Sequence, residues 1–87
     1  EETTVENLSI YPNPTTGMLN IKFNAEKQGN IQVKLISVSG QVIFNEEMNA
    51  VSDQYNNSFD ISGYSKGIYL LSIISDNAKI DRKIVLK

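Results

Sequence analysis

At 87 residues and 9.7 kDa the chain fits one domain, of a size that buries about 60 to 70% of its unfolded surface and so has room for a core but not for a deep internal cavity. With 40% hydrophobic and 21% charged residues, a net charge of −2 and no apolar run near the ~18 residues of a membrane helix, its composition is that of a globular domain. Cysteine and histidine are absent, which excludes disulfides and thiolate chemistry and removes the usual general base and the commonest transition-metal ligand.

The chain opens Glu1-Glu2-Thr3-Thr4-Val5-Glu6, with neither an initiator methionine nor an apolar signal core. Residues 1–7 are therefore expected to be a linker from an upstream region, and residues 8–87 the folded domain. Leu8-Ser9-Ile10-Tyr11 alternates apolar and polar side chains and is stopped by Pro12, which predicts a first strand. The stretch Pro12-Asn13-Pro14-Thr15-Thr16-Gly17 then reads as a stiff corner. Both prolines fix φ near −65° and lack an N–H, Tyr11 and Asn13 are pushed toward extended conformations, and Gly17 is expected to take a positive φ where the chain reverses.

Residues 18–23 alternate again, with Leu19, Ile21 and Phe23 predicted to point inward. Residues 24–30, which contain Gly29-Asn30, read as a turn, and residues 31–36 as a strand with Ile31, Val33 and Leu35 inward. Ser37-Val38-Ser39-Gly40 predicts a tight hairpin in which Gly40 supplies a positive φ, and residues 41–48 return as the partner strand around Val42, Ile43 and Phe44. Residues 49–53 read as a polar loop and residues 55–59 as a weaker strand. Asp60 is placed to cap the turn that follows it, and the chain crosses through Gly63, Tyr64 and Gly67 to residues 68–74, whose near-continuous apolarity fits a central or doubly covered strand. After a turn at Ser75-Asp76-Asn77, residues 78–87 close the chain with Ile80, Ile84 and Leu86 inward. Lys79, Asp81, Lys83 and Lys87 then face out, and Arg82 falls on the inward face, which calls for a bulge or a guanidinium reaching the rim.

No window shows helical spacing with caps, whereas about seven strand signals recur every 8 to 12 residues. The expected fold is all-β, an immunoglobulin-like antiparallel β-sandwich of about seven strands, without the cysteine pair and tryptophan of antibody domains.

The charges speak against nucleic acid as a partner. Glu1, Glu2 and Glu6 make the start acidic, and Lys79, Arg82, Lys83 and Lys87 against Asp81 make the end basic. A phosphate backbone needs more clustered cations than this, with aromatics among them. The basic end reads more simply as an edge strand whose lysines discourage unwanted pairing. Catalysis finds no support either, since Ser37, Ser39 and Ser62 have no histidine to activate them, and Asp53, Asp60, Asp76 and Asn77 lack EF-hand spacing. No catalytic residue, metal or cofactor is assigned.

Four motifs in order carry a family resemblance. They are Leu8-Ser9-Ile10-Tyr11-Pro12-Asn13-Pro14-Thr15-Thr16-Gly17, the segment from Leu35 to Ile43 around Gly40, Asp60-Ile61-Ser62 followed by Gly67-Ile68-Tyr69-Leu70-Leu71-Ser72-Ile73, and the terminal Lys83-Ile84-Val85-Leu86-Lys87. Together they resemble the type A C-terminal sorting domain of the type IX (Por) secretion system of Bacteroidetes. Two departures are Ser37, where the family often has Asp or Asn, and Tyr64, where leucine is usual. The resemblance implies a detachable address on an upstream cargo, with signal residues Pro12, Asn13, Pro14, Gly17, Gly40, Gly67, Tyr69, Lys83, Ile84, Val85, Leu86 and Lys87. It implies as partners the outer-membrane translocon and shuttle components, a covalently linked cargo domain, and a sortase-like peptidase acting on the N-terminal linker. It also implies passage through the periplasm to the cell surface or the exterior. The alternative reading is a carbohydrate-binding or fibronectin-like adhesion sandwich displaying Tyr55, Tyr64 and Tyr69, against which stands the expectation that Tyr69 packs in the core and Tyr64 plugs one end of the sandwich.

Overall fold

The structure, a computed structural model, describes residues 4–75 and 79–87. These form five antiparallel strands: β1 (Thr4–Tyr11), β2 (Met18–Ser37), β3 (Val42–Asp60), β4 (Gly67–Ile74) and β5 (Lys79–Leu86). β2 and β3 are 20 and 19 residues long and pair with each other along nearly their whole length, with a register shift where Glu26 and Lys27 stand against the single residue Ser52. Such an extra residue bends a strand and raises its twist. Each long strand thus serves two layers. Residues 18–25 of β2 lie between β1 and the second half of β3, and residues 28–37 lie between β4 and the first half of β3, with β5 beyond β4. Counted by layer, the two bent strands supply four segments and the others three, which gives the seven-segment immunoglobulin-like sandwich.

Alternation fixes which face is buried. Leu19, Ile21 and Phe23 from one half of β2 face Ile31, Val33 and Leu35 from the other, all fully buried, and Leu71, Ile73, Ile84 and Leu86 complete the core. A one-residue slip would expose the whole set, so burial locks the register. Both halves of the edge strand β3 turn side chains toward each other. Phe44 stacks on Phe59 with ring centroids 3.8 Å apart, and Phe23 stacks on Tyr55 at 4.8 Å. Between these pairs, Glu46 accepts hydrogen bonds from the Tyr55 hydroxyl at 2.9 Å and Asn57 Nδ2 at 3.1 Å.

Several expectations are corrected here. Residues 24–30 and 49–53 are not a turn and a loop but the bent middles of β2 and β3, because their backbones pair with each other. β1 begins at Thr4 rather than Leu8, so residues 4–6 of the expected linker pair with β2; Asn7, with φ of 56°, sits at the register shift that follows them. Asparagine tolerates this left-handed conformation better than most residues. Residues 1–3 and most of the expected Ser75-Asp76-Asn77 turn lie outside the described residues. β4 is central, as expected, between β2 and β5. Arg82 causes no register shift; its guanidinium reaches the rim and donates to the Asp81 carbonyl at 3.0 Å.

Candidate functional site

The proline corner is bonded to the end of the chain. Both Tyr11-Pro12 and Asn13-Pro14 are cis peptides. Because Pro12 and Pro14 have no N–H, the side chain of Asn13 is the nearest group that can both donate and accept in this stretch. It does both: Asn13 Nδ2 donates to the Lys83 carbonyl at 2.8 Å, and Asn13 Oδ1 accepts the Val85 N–H at 3.0 Å. A carboxamide has the donor and acceptor geometry of a peptide group, so Asn13 acts as one rung of a strand. Two residues on, the backbone takes over. The Thr15 N–H donates to the Val85 carbonyl at 2.8 Å, and the Lys87 N–H donates to the Thr15 carbonyl at 2.8 Å, a parallel bridge opposite Leu86.

Those four bonds occupy the outer edge of β5 from Lys83 to Lys87. Its other edge is paired with β4, where Gly67 stands opposite Leu86 and Tyr69 opposite Ile84. The last strand is therefore an interior strand at its C-terminal end, although it is the last in sequence and in sheet order. Ile84 and Leu86 are buried, while Lys83 and Lys87 are exposed and have their backbones bonded to the corner.

Thr15 and Gly17 anchor the corner from below. Thr15 is 1% exposed, and its hydroxyl donates to the Met18 carbonyl at 2.5 Å and accepts the Gly17 N–H at 3.1 Å. Gly17 differs from expectation, for its φ is not positive. Glycine is required there by contact, since a Cβ would lie 2.9 Å from that of Ser62. The Gly17 carbonyl accepts the Ile61 N–H at 2.8 Å, which ties the corner to the 60–64 turn. Asp60 caps that turn as expected, accepting the Ser62 N–H at 2.9 Å, and hydrogen bonds from Ser62 hold its carboxyl below the usual range.

The remaining predicted signal residues lie around the same end. Gly40 has φ of 93° and closes the hairpin by donating to the Ser37 carbonyl at 3.0 Å; Gly67 has φ of 146° at the start of β4. Tyr69 is buried and its hydroxyl donates to the Ser65 carbonyl. Sequence reasoning missed Thr15 and the pairing role of Asn13. A hydroxyl two residues before a glycine was a usable signal for the first. No local signal announces the second, whose partners lie 70 and 72 residues away.

Chemically this end of the molecule offers shape, exposed lysines and a rigid backbone. Among the described residues no three carboxylates converge as a metal cluster would require. Tyr55 and Tyr69 are buried, and of these three only Tyr64, 40% exposed, is open to solvent, so they do not form an aromatic sugar platform.

The fold defines a small all-β sandwich whose C-terminal strand is bound to its proline corner. The chain matches the family model described as secretion system C-terminal sorting domain over residues 9–87, and it belongs to that family, the C-terminal sorting signals of type IX secretion cargo. Membership associates it with the type IX machinery and with an upstream cargo, and with export across the outer membrane toward the cell surface or the exterior. The family is one of targeting signals, not of catalysts. No curated protein matches the chain.

Proposed function

We propose that the export machinery reads the proline corner and the terminal strand as one surface, with Lys83 and Lys87 as its charged contacts and Pro12, Asn13, Pro14 and Gly17 as the scaffold that fixes them. The observation that carries this reading is the double hydrogen bond of Asn13 to Lys83 and Val85, which makes the position of the last residues depend on the corner. Strand addition along the outer edge of residues 83–87, a common mode of peptide recognition, is opposed by the corner, which already holds the Lys83 and Val85 carbonyls and the Val85 and Lys87 N–H groups. Recognition then falls to side chains and shape. Translocon and shuttle components of the outer membrane are the readers, met after passage through the periplasm, and a sortase-like peptidase releases the domain by cutting at or before residues 1–3, upstream of β1.

The competing account gives Lys83 and Lys87 no role beyond solubility. Charge reversal separates the two, because surface substitutions usually shift stability by less than about 0.5 kcal/mol. A reporter fused ahead of the full chain, carrying Lys83→Glu and Lys87→Glu, is expected to stay in the periplasm while the domain keeps its β circular dichroism. Normal export of that variant overturns the proposed role of the lysines.

A further inference from the structure

The outer face of the second layer, near the same end, carries an apolar patch that the fold leaves uncovered. Leu35 and Leu71 face the core, so their neighbours Ile36 and Leu70 face away from it. Pairing aligns Val42, Ile36 and Leu70 in one row across β3, β2 and β4, and sets Ile68 beside Val85 in the next. Val42 is 50% exposed and Ile68 48%. The patch continues round the hairpin into a groove of about 310 Å³ between Val38 and Tyr64. Contiguous exposed apolar surface is a candidate for an interaction site.

Its border is cationic. Lys83 stands opposite Leu70, Lys34 is in the adjoining row opposite Ser72, and Lys66 lines the groove beside Ile68. None of the three is ion-paired among the described residues. Asp81, in the row of Lys34 and Ser72, accepts a hydrogen bond from Ser72 at 2.7 Å and sits 3.9 Å from Lys79. Glu47 lies farther along, opposite Gln32. Apolar centre and unopposed cations together select a partner with apolar side chains set among acidic ones.

We infer that this face docks an acidic, apolar-bearing segment of a protein component of the export apparatus, an inference that rests on the sorting function and extends the Lys83 contact across the outer face of this layer. The test is export of a reporter fused to the full chain in a host with a working type IX exporter. Val42→Asp with Ile68→Asp, and separately Lys34→Glu with Lys66→Glu, are each expected to lower export at least about tenfold, the effect of losing one strong interface contact. Lys22→Glu, on the outer face of the other layer, is expected to export normally. The lysine pair carries the test alone if the aspartates impair folding by circular dichroism. A benzophenone side chain placed at position 68 is expected to crosslink a net-acidic segment of an exporter component. Full export of the folded lysine variant, or crosslinking instead to a second copy of the chain, to the cargo or to a basic segment, overturns the inference. Failure of the unmodified chain to export the reporter would count against the sorting function itself, so the two failures are distinguishable.

Discussion

Asn13 Oδ1 accepts the backbone N–H of Val85 at 3.0 Å, joining two residues 72 positions apart in the chain. With the companion bond to Lys83, one side chain substitutes for the missing strand partner of the C-terminus, which explains how a corner near one end and a strand at the other become one structural unit.

Replacing Asn13 separates its donor from its acceptor. Asn13→Asp keeps an acceptor for Val85 but turns a carboxylate oxygen toward the Lys83 carbonyl, and Asn13→Ala removes both bonds. Each is expected to cost about 1 to 2 kcal/mol, given net hydrogen-bond contributions of about 0.5 to 1.5 kcal/mol each. Urea unfolding of the two variants checks this, and an unchanged midpoint for both would show that the clamp contributes nothing.

Thr15 makes a sharper case because it is buried. Thr15→Val conserves shape but leaves the Gly17 N–H and Met18 carbonyl without their partner, with an expected loss of about 1 to 3 kcal/mol. Thr15→Ser retains the hydroxyl and should cost less. Equal losses in thermal unfolding would show that the methyl group, not the hydroxyl, matters.

Gly17→Ala places a methyl 2.9 Å from Ser62 Cβ, closer than packing allows. Forced overpacking costs about 1 to 3 kcal/mol. Because the opposing atom is itself a Cβ, adding Ser62→Gly is expected to restore much of the loss, a non-additivity that a double-mutant cycle measures directly.

The pH dependence has opposite signs at the two extremes. Burial first, and then its bond to Glu46, push the Tyr55 phenol above its ordinary value of about 10. The stability it contributes is complete below pH ~10 and is lost as the pH rises further, because the unfolded chain ionises there while the folded chain does not. Tyr55→Phe should flatten that alkaline decline in urea midpoints measured from pH 8 to 11. Asp60, whose carboxyl is held low by Ser62, gives stability above the ordinary carboxylate range that is lost as the pH falls through its lowered value.

Period-two alternation made the seven strand segments and the core residues legible, since Leu19, Ile21 and Phe23, and Ile31, Val33 and Leu35, can only be buried together on one face. The middles of β2 and β3 were not legible. Polar residues with a Gly29-Asn30 pair read the same whether the chain turns or continues as a bent pair of strands, and only the pairing of one middle with the other decides it. The corner was visible as a corner, but the reason for Gly17 was not, because the contact with Ser62 is tertiary. The closed edge of β5 was hidden for the same reason: its partners, the Asn13 side chain and the Thr15 backbone, lie far away in sequence.

Amide hydrogen exchange at Val85 and Lys87 tests the closure of the terminal strand most directly. Their N–H groups point away from β4 and are bonded only to the corner, to Asn13 Oδ1 and the Thr15 carbonyl. Closure by the corner predicts protection of both amides, with that of Val85 lost in Asn13→Ala while Leu86, paired with β4, stays protected. Rapid exchange of Val85 and Lys87 in the unaltered protein, with Ile84 and Leu86 protected, would contradict it.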